Sequence, residues 1–205
     1  LLNIGSAYQA MSKPEEALPY LLEGVKLIEK NSDLKNKSIQ VQLANSLQTL
    51  YNDRAQYDQS ILYGEKAILP AKEMNDQSFL CLILINLSIS YREKKMLPKA
   101  EELAKEALRI AEELKDKRAE SAALLAIASI WEKQGVEYKK IMPYAARSLL
   151  LSRESGSADM ELTALGAVAI CYLQQGEFIK SETLAREALL LSQELKIKEK
   201  ESEIF

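Results

Sequence analysis

The chain contains no histidine among its 205 residues. It therefore has no Ser-His or Cys-His nucleophilic pair, no histidine metal ligand and no phospho-accepting histidine. A glycine-rich phosphate loop and a cysteine pair at zinc-ligand spacing are also missing. Neighbouring carboxylates such as Glu101 and Glu102 point roughly 100° apart on a helix and cannot share a substrate. The sequence predicts no catalytic residue, metal site or cofactor, and any catalytic activity is expected in a domain outside these residues.

Neither sign of charge dominates, because 27 basic residues face 30 acidic ones and the net charge is −3. Such a balance gives no basic footprint, so nucleic-acid binding by this region is not expected. The longest apolar run, from Phe79 to Ile85, is far shorter than the roughly 18 residues of a membrane helix. We therefore expect no membrane contact by this region. Residue 1 is not methionine and no signal peptide is recognisable, which indicates a fragment and leaves the compartment open.

Turn-forming and sulfur-containing residues are few: seven glycines, five prolines and two cysteines. Cys81 and Cys171 lie far apart in apolar runs, so both are predicted to be buried free thiols. Ala, Leu, Glu, Lys and Gln dominate the composition, and all are strong helix formers. These features favour an all-α protein.

An aromatic residue recurs at nearly constant spacing along the whole chain. The spacings are 43, 40, 40 and 41 residues for Tyr8, Tyr51, Tyr91, Trp131 and Tyr172. All nine tyrosines fall in three columns of this register. Tyr57 and Tyr138 form the second column, and Tyr20, Tyr63 and Tyr144 form the third. The regularity indicates an internal repeat.

Small residues recur in the same register, nine and sixteen residues after most of the aromatics. They are Ala17, Ser60, Ala100, Ser181, Gly24, Ala67, Ala107, Ser148 and Ala188. Small side chains let two antiparallel helices approach closely, and each helical hairpin must bury its remaining apolar stripe on a neighbour. The predicted fold is an α-α superhelix with a concave face lined by the first helix of each hairpin. The predicted domain is a single array over 1–205, with hairpins at about 1–32, 36–75, 77–116, 117–156 and 158–196 and the start of a sixth at 197–205.

This pattern resembles the tetratricopeptide repeat family, whose usual period is about 34 residues, in a long variety of about 40. The resemblance implies a right-handed solenoid. Three residues depart from the family pattern: Gln48 replaces a small residue, Gly64 a large apolar one and Ile141 an alanine. Pro70 is expected to kink or shorten the second helix of the second hairpin.

Side chains of the first helices that do not pack inside a hairpin are expected to line the groove. By helical spacing we predict contacts with a peptide or protein partner from Asn45, Thr49, Asn52, Ile85, Asn86, Ile89, Arg92, Leu125, Ser129 and Ile170. An asparagine amide can donate to and accept from a peptide backbone. In the family, asparagines at the position of Asn86 often contact peptide. The alternative is that Asn86 only makes a local contact between repeats.

The resemblance implies a protein- or peptide-binding module, as in bacterial sensor histidine kinases and peptide-responsive regulators. Its compartment would be cytoplasmic, or periplasmic if it senses for a membrane-anchored kinase. The alternative is a scaffold that associates with itself as a homodimer through exposed array ends. A third hypothesis is a non-catalytic regulatory part of an enzyme.

Overall fold

Every regular element in the described part of the chain is an α-helix. The computed structural model describes residues 1–11, 13–30 and 36–204. Its helices are α1 (Leu2–Ala10), α2 (Pro14–Lys30), α3 (Lys37–Asp53), α4 (Tyr57–Glu73), α5 (Gln77–Glu93), α6 (Leu97–Leu114), α7 (Lys117–Lys133), α8 (Tyr138–Ser155), α9 (Ala158–Gln174) and α10 (Phe178–Ile204). Consecutive helices pack as antiparallel pairs. The predicted all-α class, built from helical hairpins, is confirmed.

The chain divides into two compact units, Leu1–Ile110 and Ala111–Phe205. In the first unit α1 packs on α2, α3 on α4, and α3 also on α5. In the second unit α8 packs on both α7 and α9, and α10 packs on α9. The link between α2 and α3 lies partly outside the described residues.

The first helices of three hairpins begin in the same way. Asn36, Asp76 and Asp116, each one repeat apart, accept hydrogen bonds through their side chains from the backbone N–H groups of the first turn of α3, α5 and α7. Such caps satisfy donors that the helix leaves unpaired. Repeated capping explains why these helices start in register.

From α3 to α10, each turn between consecutive helices contains one left-handed residue. Positive φ occurs at Ala55, Asn75, Lys95 and Lys115 as well as at Gly135, Gly156 and Gly176. A left-handed residue after the last helical turn lets the backbone reverse. Glycine and proline therefore signal only some of the turns, because alanine and lysine adopt this conformation at others.

Aromatic residues of the first and third columns meet inside the hairpins. The ring centroids of Tyr8 and Tyr20 are 5.7 Å apart, and those of Tyr51 and Tyr63 are 5.6 Å apart, both pairs being stacked. Trp131 packs edge-on against Tyr144, with 4.6 Å between their ring centroids. These pairs fill the space that the small residues leave between two helices.

One expectation about a helix end differs from the structure. Pro70 does not shorten its helix, because α4 has 17 residues like α3 and α5; the proline lies in the last turn, where only one hydrogen bond is lost. α10 extends as one helix to Ile204, over residues predicted to begin a sixth hairpin, and that division of the array stays a prediction. No glycine or proline follows Gly176 to interrupt the helix.

Candidate functional site

Five of the predicted binding residues of the first unit, together with Leu82, lie along one side of two neighbouring first helices. Asn45, Thr49 and Asn52 follow one another at i, i+4 and i+7 on α3, and Leu82, Asn86 and Ile89 do so on α5. Residues at this spacing share a helix face. Leu82 is exposed and the other five are half-buried. We call these six residues the α3–α5 face.

Three side chains of this face are tied to one another across the two helices. Asn86 Nδ2 donates to Thr49 Oγ1 at 3.2 Å, and Asn52 Nδ2 donates to the carbonyl oxygen of Asn86 at 3.1 Å. Ser90 Oγ donates to Asn52 Oδ1 at 2.6 Å. Asn86 thus makes the contact between repeats that the alternative interpretation described. These bonds also fix the orientation of the amides at the surface.

The bond from Asn52 has a counterpart one repeat earlier. Gln9 Nε2 donates to the carbonyl oxygen of Ser46 at 3.0 Å. Gln9 and Asn52 each directly follow an aromatic of the first column. Each donates to the carbonyl of the residue that lies five positions before the next aromatic of that column. The sequence interpretation missed Gln9 and Ser90. The signal was present, because carboxamides occupy the same column at positions 9 and 52.

Asn45 differs from the other amides of the face. Its Oδ1 atom is buried and has no hydrogen-bond partner among the described residues. A buried acceptor without a donor is unfavourable unless a bound group supplies one. Asn45 therefore carries a buried, unpaired acceptor among the described residues.

Two further predicted residues of this unit are placed differently from the face. Ile85 is buried in α5 and does not contribute to the exposed surface. Arg92 forms an ion pair with its neighbour, with 2.8 Å between Arg92 Nη2 and Glu93 Oε1. Its charge is thus compensated locally.

The second unit holds Leu125, Ser129 and Ile170. Leu125 packs partly buried against the cluster around Leu165 and Val168, and Ser129 Oγ donates to Ala126 O at 3.0 Å within α7. Ile170 is exposed on α9, as is Leu173 one turn later. Their surface is apolar, whereas the α3–α5 face carries amides.

Gly166 leaves the backbone of α9 open on this apolar side. A β-carbon built on Gly166 would meet no atom within 4 Å. Glycine in a helix interior is unfavourable by about 1 kcal/mol relative to alanine. Packing within the described structure does not require this glycine.

Both cysteines are free and buried, as predicted. Burial, reinforced by the carboxylate of Glu132, raises the pKa of Cys171 to about 11. The thiol therefore stays protonated and unreactive near neutral pH. Among the described residues, no three His, Cys, Asp or Glu side chains cluster in a way that suits a metal ion. No described helix is long and apolar enough to span a bilayer.

Comparison with known proteins gives a fold but no family by sequence. No protein-family model matches the chain, and no curated protein matches it. BtubC (BKLC) from P. vanneervenii superposes with a TM-score of 0.72 and 15% identity over 94% of this chain and 78% of its own. A Rap protein complexed with Competence and Sporulation Factor superposes with a TM-score of 0.78 and 14% sequence identity. The match covers 94% of this chain and 52% of the Rap protein.

A signal transduction ATPase with a tetratricopeptide repeat sensor, from Pyrococcus horikoshii, gives a TM-score of 0.72 and 17% identity. The match covers 95% of this chain and 30% of the ATPase. Identities this low establish the fold alone. The chain has the fold of tetratricopeptide-like helical repeat proteins.

Proposed function

We propose that this chain is a protein- or peptide-binding module whose ligand lies on the α3–α5 face. The observation that carries the proposal is the juxtaposition of oriented amides with an exposed leucine on two consecutive first helices. Asn86 and Asn52 are held by bonds to each other and to Thr49, while Leu82 is 44% exposed. An extended segment would pair its backbone with the amides and bury an apolar side chain beside Leu82.

Two further points support a ligand at this place. Amides already fixed by neighbouring bonds lose little freedom on binding, which favours affinity. The fold is also that of the Rap protein whose structure contains Competence and Sporulation Factor.

Two matched leucine substitutions test the proposal. Peptides are first selected on the wild-type protein from a random display library, and their affinities are then measured by fluorescence polarisation. Leu82→Asp should weaken the selected peptides by at least about tenfold, since it buries a charge at the contact. Leu62→Asp is the control, because Leu62 is similarly exposed (48%) but lies on the second helix α4. A selection without enrichment, or equal affinities for both variants, would refute the proposal.

At a finer level we propose that the module is the sensing or interaction region of a larger bacterial signalling or regulatory protein. The chain spans about half of the Rap protein and under a third of the ATPase. Catalysis would then belong to residues outside this region. Membership of a sensor histidine kinase remains a prediction, which the domain order of the full-length gene would test.

A second candidate function is self-association through the outer faces of α1 and α10. Phe178 and Leu189 on α10 are 67% and 58% exposed, whereas Leu149, in the column of Leu189, is 9% exposed. On α1, Ile4 is exposed, although its counterpart Leu47 is buried. Exposed apolar residues in otherwise buried columns favour a contact with another chain.

Sedimentation tests this second candidate. The wild-type protein should form a concentration-dependent dimer, and Leu189→Lys should abolish it while leaving the helical circular dichroism unchanged. A wild-type protein that stays monomeric at all concentrations would rule self-association out.

A further inference from the structure

In the second unit, two ionic seams each link side chains of three consecutive helices. Arg147 Nη2 lies 3.0 Å from Glu112 Oε1 and 2.5 Å from Glu120 Oε1. Arg153 Nε lies 2.8 Å from Glu161 Oε1, and its Nη2 pairs with Glu187. Each seam therefore places one arginine between two carboxylates on three different helices. A planar guanidinium can pair with both acids at once.

The same three columns are occupied differently at the junction between the first two hairpins. In the register of the aromatics, Glu29 stands in the column of Glu112, Gln40 in that of Glu120 and Lys66 in that of Arg147. A neutral amide replaces one acid and lysine replaces arginine. The remaining ion pair is long, with 3.8 Å between Lys66 Nζ and Glu29 Oε1. This seam is thus held by one weak pair.

An apolar cavity of about 300 Å³ lies beneath this weak pair. It is lined by Val25 and Ile28 of α2, Leu43 and Ala44 of α3, and Tyr63 of α4, with Glu29, Gln40 and Lys66 also on its wall. Cavities of about this volume and larger hold small ligands in proteins. Both charged groups are more than half exposed, so a ligand can reach them from solvent.

We propose that this cavity binds a free amino acid with a large apolar side chain, such as phenylalanine or leucine. The side chain would occupy the space between Val25, Ile28 and Leu43. The ammonium group would pair with Glu29 and the carboxylate with Lys66, so that each charge of the long ion pair gains a closer partner.

The opposite charges at the mouth select this chemical class. A hydrocarbon would leave the two charges no better paired than before. A residue at the end of a peptide carries only one of the two charges, so it would leave Glu29 or Lys66 with its present distant partner. A small zwitterion with an apolar body complements the acid, the base and the apolar wall together. Gln40, in place of a second acid, leaves the acidic and basic groups balanced.

Isothermal titration and chemical-shift mapping with defined compounds test the site. L-phenylalanine and L-leucine should bind saturably with 1:1 stoichiometry. 3-Phenylpropionate lacks the ammonium group, phenethylamine lacks the carboxylate and L-alanine lacks the apolar body. Each of these three should bind at least about tenfold more weakly than L-phenylalanine. The amide resonances of Leu43 and Tyr63 should shift on binding.

Substitutions of the exposed charges avoid the risk of unfolding that filling the cavity through Ala44→Leu carries. Lys66→Gln and Glu29→Gln should each reduce affinity for L-phenylalanine by about tenfold or more. Lys72→Gln, at an exposed lysine of the same helix that does not line the cavity, should leave affinity unchanged. The proposal is overturned if neither amino acid shows saturable binding to the wild-type protein. It is equally overturned if Lys66→Gln binds L-phenylalanine as tightly as Lys72→Gln does.

Discussion

Gln48 and Gly64 occupy one buried space between α3 and α4. A β-carbon added to Gly64 would lie 2.4 Å from Gln48 Nε2, and 2.8 Å from Leu87 Cγ. The tetratricopeptide pattern that the sequence resembles has a small residue at the position of Gln48 and a large apolar residue at the position of Gly64. Here the sizes are exchanged, so the total volume is conserved while the larger group comes from the other helix. Gln48 Nε2 also donates to Ile83 O at 3.1 Å.

Gly64→Ala should therefore destabilise the protein by about 1–3 kcal/mol through overpacking, although alanine is the better helix former. Gly166→Ala provides the contrast, because no atom lies within 4 Å of an added β-carbon there. That variant should gain about 1 kcal/mol from helix propensity. Urea unfolding followed by circular dichroism measures both changes, and equal effects of the two substitutions would contradict the packing at Gly64.

Asn52→Ala should lower the free energy of unfolding by about 1–2 kcal/mol, because it removes both the bond to Asn86 O and the acceptor of Ser90. Asn45→Ala should cost less, since Asn45 Oδ1 has no partner within the described structure. Comparing the urea midpoints of the two variants separates bonding between repeats from ligand binding. A stable Asn52→Ala variant that fails to bind peptide would assign Asn52 to the ligand alone.

Arg147→Ala should destabilise the second unit by about 1–2 kcal/mol, because it leaves the largely buried carboxylate of Glu120 without its cation. Arg186, paired with Glu182 on the exposed surface of α10, provides the control. Arg186→Ala should change stability by less than about 0.5 kcal/mol. Thermal unfolding at low and high salt measures both changes. If Arg147→Ala is as stable as the wild-type protein at both salt concentrations, the ion pairs of Arg147 do not stabilise the unit.

Tyr91 should make stability sensitive to alkaline pH. Burial first, and then the hydrogen bond and charge of Glu65, raise the pKa of Tyr91 to about 12 from its usual value of 10. The folded state therefore holds this proton more tightly than the unfolded chain does. The stabilisation is complete below pH 10 and is lost as pH rises through 12.

Tyr91→Phe removes the 2.5 Å bond from the Tyr91 hydroxyl to Glu65 Oε1 and should cost about 1 kcal/mol below pH 10. The difference from wild type should shrink between pH 10 and 12, as the tyrosine ionises in the wild-type protein. Urea midpoints across this range give the measurement. A difference that stays constant with pH would show that the pKa of Tyr91 is not raised.

The sequence predicted the hairpins because their determinants are local and repeated. The column aromatics and small residues report how closely two helices can approach, and the structure places Tyr51 on Tyr63 and Trp131 on Tyr144 as that register implies. Turns were harder to predict where Ala55 or Lys115 takes the left-handed conformation. Alanine and lysine rarely adopt this conformation, so the sequence gives no signal for it at these positions.

The candidate site was predictable as a helix face but not as a set of bonds. Helical spacing placed Asn45, Thr49 and Asn52 on one side of α3. Whether an amide turns to a neighbouring helix or to solvent depends on the distance between helices, which spacing alone does not give. The cavity beside Tyr63 was also not predictable, because helical spacing does not give the distances between the side chains that line it.

The two ionic seams have a consequence for the order of the repeats. Column by column, one seam is acidic, acidic and basic (Glu112, Glu120, Arg147), and the next is basic, acidic and acidic (Arg153, Glu161, Glu187). If a deletion of the fourth hairpin brought the fifth against the third, Glu112, Glu161 and Glu187 would meet as three like charges. Loss of the fourth repeat would thus carry an electrostatic penalty at the new boundary.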